Sequence, residues 1–213
     1  MTPQLYEVFG GTLESELPID ELPPSREPSA DWTLRIVDSA SVMPDGELLG
    51  TDTVFGDTSV RGYRRAGGFS LVFDDTGRFD VSADGSVITW YRPPDVVVES
   101  ARADITSRVL ALALHATGVF TLHASAVSIG DAGVAFIAPK QHGKSTLCSA
   151  LVLRGARALS DDTVPVRPGP QPRLSPGLPR LRSVQRRQLK ASLRWASQRL
   201  GLPYPSWLRA VPD

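Results

Sequence analysis

The stretch that decides the fold runs from Val134 to Asp162 and reads VAFIAPKQHGKSTLCSALVLRGARALSDD. Its first four residues are apolar, and a run of this length is typical of a buried strand. A loop follows over residues 138–142, and the GKST sequence at 143–146 then opens a helix, which the Arg-Gly pair at 154–155 ends. A strand, a loop, Gly-Lys-Ser and a helix, in this order, are the layout of a phosphate-binding P-loop.

A P-loop binds phosphate through backbone and side-chain groups together. The N–H groups at a helix N-terminus have no acceptor within the helix and point outward, so they bind anions. The ammonium group of Lys144 would lie on the outer phosphates of a nucleotide, and the hydroxyl of Ser145 would face Mg²⁺. The sequence therefore predicts a nucleotide-binding loop that consists of Ala138, Pro139, Lys140, Gln141, His142, Gly143, Lys144, Ser145 and Thr146.

The first position of this loop departs from the G-x-x-x-x-G-K-[ST] pattern. Alanine stands there, at residue 138, where glycine would permit backbone angles that alanine resists. The alternative interpretation is a Gly-Lys-Ser sequence that starts a helix by chance. The apolar run before it and the amphipathic helix after it favour the P-loop.

Composition and cysteine content restrict the class of protein. The chain has 213 residues, enough for one large domain or two small ones, and a hydrophobic fraction of 41% that suits a folded, soluble protein. Its single cysteine, Cys148, excludes internal disulfides and fits a reducing cytosol. The N-terminus has no basic-then-apolar signal peptide, and no apolar run approaches the roughly 20 residues that span a bilayer. We therefore predict a cytoplasmic protein without a membrane partner.

Charge is balanced overall but unevenly distributed. Residues 1–60 contain twelve acidic and two basic side chains, whereas residues 167–213 contain ten basic side chains and one acidic one, Asp213. A basic segment of this kind binds nucleic acid, a phosphate-rich ligand or an acidic part of the same protein. No nucleic-acid-binding motif accompanies it, so we favour the last two and predict no nucleic-acid partner. Residues 183–213 are expected to form a basic C-terminal helix and tail.

The N-terminal part, residues 1–98, predicts a small antiparallel β domain. Extended segments are expected at 4–9 and 32–37, separated by a proline-rich loop. The polar segment between 38 and 60 shows no pattern that predicts a strand or a helix. Short turns then join three further strands with the spacing of a β-meander, at 68–73, 78–82 and 87–91.

Residues 99–182 predict the nucleotide-binding core. An apolar helix is expected over 105–116 with Asp104 as its N-cap, an extended segment covers 119–129, and a short strand at 157–160 follows the P-loop helix. Strands that alternate with helices in this way are typical of an α/β sheet. We therefore expect an α/β core of the P-loop kinase type, within a chain that is α+β overall.

Three further residues fit the P-loop. Asp161 and Asp162 end the strand that follows the P-loop helix, and in a parallel α/β sheet that end faces the same crevice as the phosphate loop. One carboxylate would hold Mg²⁺, and the other would accept a proton from an attacking hydroxyl or hold that hydroxyl in line. His123 approaches the crevice if its extended segment pairs with the strand of the P-loop. The alternatives are an Asp pair that starts a turn and a histidine that is satisfied within the core.

Together these sequences resemble the HPr kinase/phosphorylase family and its shorter bacterial relatives, which include the kinases found with lasso-peptide biosynthesis. The shared features are a His-containing strand, LHASAV at 122–127, the loop APKQHGKSTL at 138–147, and a helix ending LRG at 153–155 before LSDD at 159–162. The N-terminal part is similar to the leader domain of the short relatives. The specific resemblance covers roughly residues 105–182.

The resemblance implies an ATP- and Mg²⁺-dependent kinase that transfers the γ-phosphoryl group of ATP to a serine of a small protein or peptide, such as a lasso-peptide precursor. In that case Asp161 is the catalytic base toward the serine hydroxyl, His123 supports this aspartate, and Lys144 binds phosphate. Ser145 and Asp162 are then the ligands of Mg²⁺. Such a protein supplies positioning and charge and forms no covalent intermediate. The resemblance is also compatible with self-association into a homo-oligomer.

Several departures from the family leave the activity open. Lys140 and His142 replace small residues in the loop, and the segment after Asp162 contains no equivalent of the family's glycine-rich signature. Arg180 or Arg182 is a candidate for the family's basic residue near the transferred phosphate. The alternative function is a catalytically degenerate or truncated ATP-binding regulatory or scaffold protein, and a third is an ATPase that couples hydrolysis to a partner's movement. Phosphorylase activity is not expected.

Overall fold

The structure is a computed structural model that describes residues 2–40, 43–53, 58–139, 142–167 and 173–174. Of these residues, 48% lie in strands and 18% in helices. The chain divides into two compact units, Met1–Phe120 and Thr121–Asp213. The prediction of an α/β, P-loop kinase-like core is wrong, because the protein is mostly β and is built on two sheets that lack the arrangement of that fold.

An eight-stranded mixed sheet forms the first unit. Its strands are β1 (Gln4–Val8), β2 (Gly11–Ser15), β3 (Trp32–Asp38), β4 (Glu47–Thr53), β5 (Ser59–Arg65), β6 (Gly68–Phe73), β7 (Gly77–Ser82) and β8 (Val87–Arg92), in the spatial order β1-β2-β3-β8-β7-β6-β5-β4. The pairs β2–β3 and β3–β8 are parallel, and every other pair in this sheet is antiparallel. The predicted β-meander is therefore confirmed, whereas the prediction of an antiparallel N-terminal sheet is wrong.

β3 joins the two halves of this sheet, because it lies parallel to both β2 and β8. The segment 16–31 carries the chain back to the starting end of β2, so that Leu13 pairs with Trp32. Hydrophobic alternation indicates which residues form a strand but not the direction in which the strand runs. β4 lies at the edge of the sheet with all seven residues exposed, which explains why its sequence shows no alternation.

Aromatic side chains of β6, β7 and β8 pack at the centre of this unit. Trp90 and Phe79 are completely buried and stack with their ring centroids 5.7 Å apart, and Phe73 meets Phe79 edge to face. The indole N–H of Trp90 donates to the carbonyl of Thr76 at 2.8 Å, so the polar group of this buried ring is satisfied. Phe79 and Trp90 are cross-strand partners, and their stacking therefore fixes the register of β7 and β8.

A helical segment follows the sheet, in two α-helical parts joined by a π-helical turn over Ile105–Val109. These parts are α1 (Val98–Asp104) and α2 (Leu110–Ala116). Asp104 lies inside the segment and its carboxylate accepts a hydrogen bond from Thr76 at 2.8 Å, so it is not the N-cap that the sequence predicts. The prediction of an apolar, buried helix is confirmed, because these side chains are completely buried: Ile105, Val109, Leu110, Ala113 and Leu114.

Gly68, the first residue of β6, has a φ of +136°, and a Cβ atom there would lie 2.1 Å from the carbonyl oxygen of Val81. The obstruction belongs to the main chain of β7, which cannot yield as a flexible side chain does. We expect Gly68→Ala to lower the free energy of unfolding by about 2–3 kcal/mol in urea denaturation. Gly67→Ala is the control, because a Cβ there meets no atom within 4 Å. An equal loss for both variants would contradict this expectation.

The second unit contains a smaller sheet and one described helix. Its elements are β9 (Phe120–Ile129), β10 (Ala132–Phe136), α3 (Lys144–Leu153), β11 (Arg157–Arg167) and β12 (Arg173–Leu174), and the strands follow the order β10-β9-β11-β12. β9 and β10 form an antiparallel hairpin, and Gly130 in its turn has a φ of +56°. The core of this unit contains Ala124, Ala126, Leu159 and Val164.

This arrangement explains why the α/β prediction fails. In a doubly wound fold, helices cover both faces of a largely parallel sheet. Here β9 lies between β10 and β11 and is antiparallel to β10. In the described part of this unit, α3 is the one helix. The strand and the helix predicted on either side of the P-loop are nevertheless present, as β10 and α3.

The predicted C-terminal helix and tail, residues 183–213, lie outside the described residues, as do Arg180 and Arg182. Within the described ranges no helix combines the length and the apolar character that a membrane span requires.

Candidate functional site

The predicted P-loop segment forms the connection from β10 to α3. Gly143 precedes α3 with a φ of +80°, a left-handed conformation that glycine adopts without strain. Lys144 turns back toward the start of the loop, where its ammonium group donates to the carbonyls of Ala138 at 2.7 Å and Pro139 at 3.3 Å. Ala138 does not have a positive φ, so its backbone conformation requires no glycine. The lysine thereby closes the loop onto the first turn of the helix.

Two hydroxyl groups converge on one carboxylate oxygen beside that first turn. Ser125 of β9 donates to Oδ1 of Asp161 at 2.5 Å, and Ser145 of α3 donates to the same oxygen at 2.9 Å. The two hydroxyl oxygens are 3.4 Å apart. Ser125 is buried, Asp161 is half-buried and Ser145 is exposed, so this serine–aspartate cluster extends from the core to the surface. Hydrogen bonds to a carboxylate are strong, and the cluster therefore fixes Asp161 relative to the helix start.

A histidine and an aspartate form a second pair on the same two strands. Nδ1 of His123 lies 3.0 Å from Oδ1 of Asp162, and the two side chains are 64% and 30% exposed. His123 precedes Ser125 by two residues on β9, and alternate residues of a strand face the same side of a sheet. The imidazole and the Ser125 hydroxyl therefore belong to one face, and each has its own aspartate partner on β11.

The backbone of β11 is irregular where the two aspartates meet. Successive side chains of a regular strand point to opposite faces, yet Asp161 and Asp162 both reach partners on one face of β9. Asp162 has a φ of +104°, a conformation that is strained for a residue with a Cβ atom. The hydroxyl of Ser160 spans the irregularity and donates to the carbonyl of Thr163 at 2.6 Å. This distortion brings both carboxylates into one site.

The structure brings together four of the residues predicted for the site, which are His123, Ser145, Asp161 and Asp162. Their contacts differ from those that the family resemblance implies. Ser145 contacts Asp161 and His123 contacts Asp162, whereas the family resemblance joins Ser145 to Asp162 and His123 to Asp161. Lys144, the fifth, lies at the helix start with its ammonium group on the loop carbonyls.

The other residues of the predicted loop surround the helix start. Ala138 and Thr146 are half-buried, whereas Pro139, His142 and Gly143 are exposed. Lys140 and Gln141 lie outside the described residues. The described part of the loop is therefore accessible to a ligand from solvent.

Two serines of the site, Ser125 and Ser160, were not predicted from the sequence. Ser125 is a single hydroxyl within the buried run 124–127, and a buried polar group needs a partner, so its position could have indicated the contact. Ser160 is buried as well and directly precedes the Asp pair. Its hydroxyl next to a predicted turn could have indicated a local bond to the backbone.

Cys148, one turn into α3, packs in the interior and is not a reactive thiol. Burial, together with the carboxylate of Asp161, raises the pKa of its thiol to about 12. We expect almost no labelling of the native protein by a thiol reagent at pH 8, and fast labelling in urea, because an unfolded thiol has a pKa of about 8.5.

The same shift affects stability, because only the unfolded thiol ionises between about pH 9 and pH 12, so its contribution to the free energy of unfolding falls across that range. Fast labelling at pH 8 without urea would contradict this assignment.

The chemistry of the serine–aspartate cluster suits a cation that arrives with a nucleotide. Mg²⁺ usually binds proteins through one or two carboxylates and completes its shell with phosphate oxygens and water. Asp161 and the Ser145 hydroxyl offer such a pair at a helix N-terminus. Among the described residues, no group of three or more His, Cys, Asp or Glu side chains could hold a metal ion. One carboxylate and one hydroxyl therefore form a partial ligand set, which phosphate oxygens and water would have to complete.

Comparison with known proteins does not place the chain in a family. No protein-family model matches it, and neither does any curated protein or solved structure. The similarity to the HPr kinase/phosphorylase family therefore rests on the sequence motifs and stays a prediction.

Proposed function

We propose that the protein is an ATP- and Mg²⁺-dependent serine kinase, which transfers the γ-phosphoryl group of ATP to a serine of a small protein or peptide. The observation that carries this proposal is the serine–aspartate cluster of Ser125, Ser145 and Asp161 at the first turn of α3, with His123 and Asp162 on the same two strands. A helix start offers N–H groups for phosphate, and the carboxylates offer a cation ligand and a proton acceptor.

The phosphates of the nucleotide would lie at the N-terminus of α3. The first N–H groups of a helix have no acceptor within it, and the helix dipole favours negative charge there. Lys144 would exchange its two carbonyl partners for phosphate oxygens by a rotation of its flexible side chain. Asp161 and Ser145 would hold Mg²⁺, which neutralises phosphate charge when it is bound. We place this reaction in the cytoplasm, where ATP is available.

The pair of His123 and Asp162 would face the acceptor serine. The imidazole is 64% exposed, so a peptide hydroxyl reaches this pair without a rearrangement of the core. Asp162 would accept the proton of the hydroxyl or hold the hydroxyl in line, and His123 would orient its carboxylate. We assign this role to Asp162 instead of Asp161, because Oδ1 of Asp161 already accepts two hydrogen bonds.

A second candidate is an ATP-binding regulatory or scaffold protein without transfer activity. The observation that favours it is the position of Lys144, whose ammonium group is bound by two carbonyls of its own loop. A protein of this kind would bind ATP and release it unchanged. An ATPase that acts on a partner would release phosphate without labelling a peptide.

The test is incubation of the 213-residue chain with γ-labelled ATP, Mg²⁺ and a set of serine peptides, followed by mass spectrometry. We expect Mg²⁺-dependent formation of phosphoserine, and none in a matched peptide with alanine in place of the serine. ATP binding without any labelled peptide would favour the scaffold function. A chain that binds no ATP in calorimetry would reject both candidates.

A further inference from the structure

We propose that Ser125 is a positioning residue that keeps the carboxylate of Asp161 in place while a nucleotide and its cation bind and leave. This inference rests on the proposed function and adds a residue to which the P-loop motif and the Asp pair assign no role. Its basis is the location of Ser125, which joins the core of the second unit to the serine–aspartate cluster.

Ser125 is a buried polar residue on a strand that also supplies core residues. Its exposed fraction is 1%, and Ala124 and Ala126, which flank it in the chain and face the other side of β9, belong to the core of the unit. A hydroxyl group in such a place needs a hydrogen-bond partner, because burial without one is costly. The partner is Oδ1 of Asp161, 2.5 Å away. Alanine would fill the same place in the core, so the feature specific to serine is its bond to Asp161.

The two hydroxyl donors of Asp161 differ in their surroundings. Ser145 is exposed on the first turn of α3, so its hydroxyl is able to rotate toward a ligand of the loop. Ser125 is buried in β9, whose backbone is held by β10 on one side and β11 on the other, so its hydroxyl has less freedom to turn away from Asp161. When the Ser145 hydroxyl turns from the carboxylate to the cation that it would hold, Ser125 remains as the donor that orients Asp161.

Loss of this donor would affect one part of nucleotide binding more than the rest. Groups that orient a metal ligand typically change metal affinity by about 10–100-fold when they are removed. Without the Ser125 hydroxyl, the carboxylate of Asp161 is freer to turn, so the orientation that a cation needs is less populated. The helix N-terminus and Lys144 are unaffected. The loss should therefore appear in ATP binding with Mg²⁺ and not in ATP binding without it.

The experiment is calorimetry of ATP binding to the 213-residue chain, with Mg²⁺ and separately with EDTA. We expect Ser125→Ala to weaken binding about tenfold with Mg²⁺ and to leave binding in EDTA unchanged. With Mg²⁺ present, Ser125→Thr should bind ATP as tightly as the wild type, whereas Ser125→Val should bind it about tenfold more weakly. Threonine and valine have the same shape, so any packing cost is shared. Ser128→Ala is the control. The hydroxyl of Ser128 is also on β9 but donates to the carbonyl of Gly130, so its removal should leave ATP binding unchanged with Mg²⁺ and with EDTA.

The outcomes separate this inference from the proposed function. The positioning role would be overturned if Ser125→Ala lost equal ATP affinity with Mg²⁺ and with EDTA. It would also be overturned if the Thr and Val variants bound ATP with the same affinity in the presence of Mg²⁺. Wild-type affinity in Ser125→Ala would also overturn it and would leave the kinase proposal intact. A wild-type chain that binds no ATP under either condition would reject the proposed function itself. If circular dichroism shows that Ser125→Ala does not fold, the comparison of the Thr and Val variants decides.

Discussion

Asp161→Asn is expected to lower phosphoryl transfer to a serine peptide by about 10²–10³-fold while the fold remains intact. The carboxylate of Asp161 accepts hydrogen bonds from Ser125 and Ser145 at one oxygen, and an asparagine amide oxygen is able to accept both. The substitution therefore keeps the shape of the cluster and removes its negative charge. The charge is the property that a cation between protein and phosphates requires.

Initial rates of label transfer, measured over a range of Mg²⁺ concentrations, would check this expectation, with thermal unfolding as the test of folding. Asp131→Asn is the matched control, since it removes one carboxylate from an exposed position in the β9–β10 turn of the same unit. The control variant should transfer phosphate at the wild-type rate. Wild-type transfer in Asp161→Asn would exclude a role for this carboxylate in catalysis.

Substitutions of Asp162 are expected to separate its carboxylate from its backbone strain. Asp162→Asn removes the charge but keeps a residue type that tolerates a positive φ, so stability should be preserved while transfer falls by about 10²–10⁴-fold. Asp162→Gly should be equally inactive but more stable by about 1 kcal/mol, because glycine adopts the φ of +104° without strain. Asp162→Ala keeps the strain and loses the contact with His123, so it should be the least stable of the three.

Urea denaturation gives the order of stability, and the peptide assay gives the order of activity. If the alanine variant were as stable as the glycine variant, the conformation of Asp162 would not be strained. If the asparagine variant transferred phosphate normally, Asp162 would not be the proton acceptor. The expected combination, a glycine variant that gains stability and loses activity, would mean that the site is maintained at the expense of stability.

Local elements could be predicted from the sequence because they depend on neighbouring residues. The strand and the helix predicted between Val134 and Leu153 are found as β10 and α3. The meander from Gly68 to Arg92 follows from alternating apolar residues and short turns, which is local information as well.

The arrangement of these elements could not be predicted in the same way. The parallel pairing of β3 with β8 joins segments that are far apart in the chain, and nothing in the sequence of either strand specifies the partner. In the site, the partners of the two aspartates depend on the positive φ of Asp162, a single backbone angle that aspartate does not normally adopt. The residue types of the site were therefore predictable, and their pairing was not.

The position of β3 also determines the order in which the nascent chain is able to complete its first sheet. The hairpins from β4 to β8 join sequence neighbours, so each forms soon after its second strand leaves the ribosome. β3 has β2 as an early partner, but its other edge must wait, because Thr33 pairs with Val87 and β8 is the last strand of this sheet to be synthesised. Until then that edge of β3 presents unpaired N–H and C=O groups to other chains. Protease resistance of stalled nascent chains should therefore rise abruptly once β8 has emerged, and a gradual rise would contradict this order of assembly.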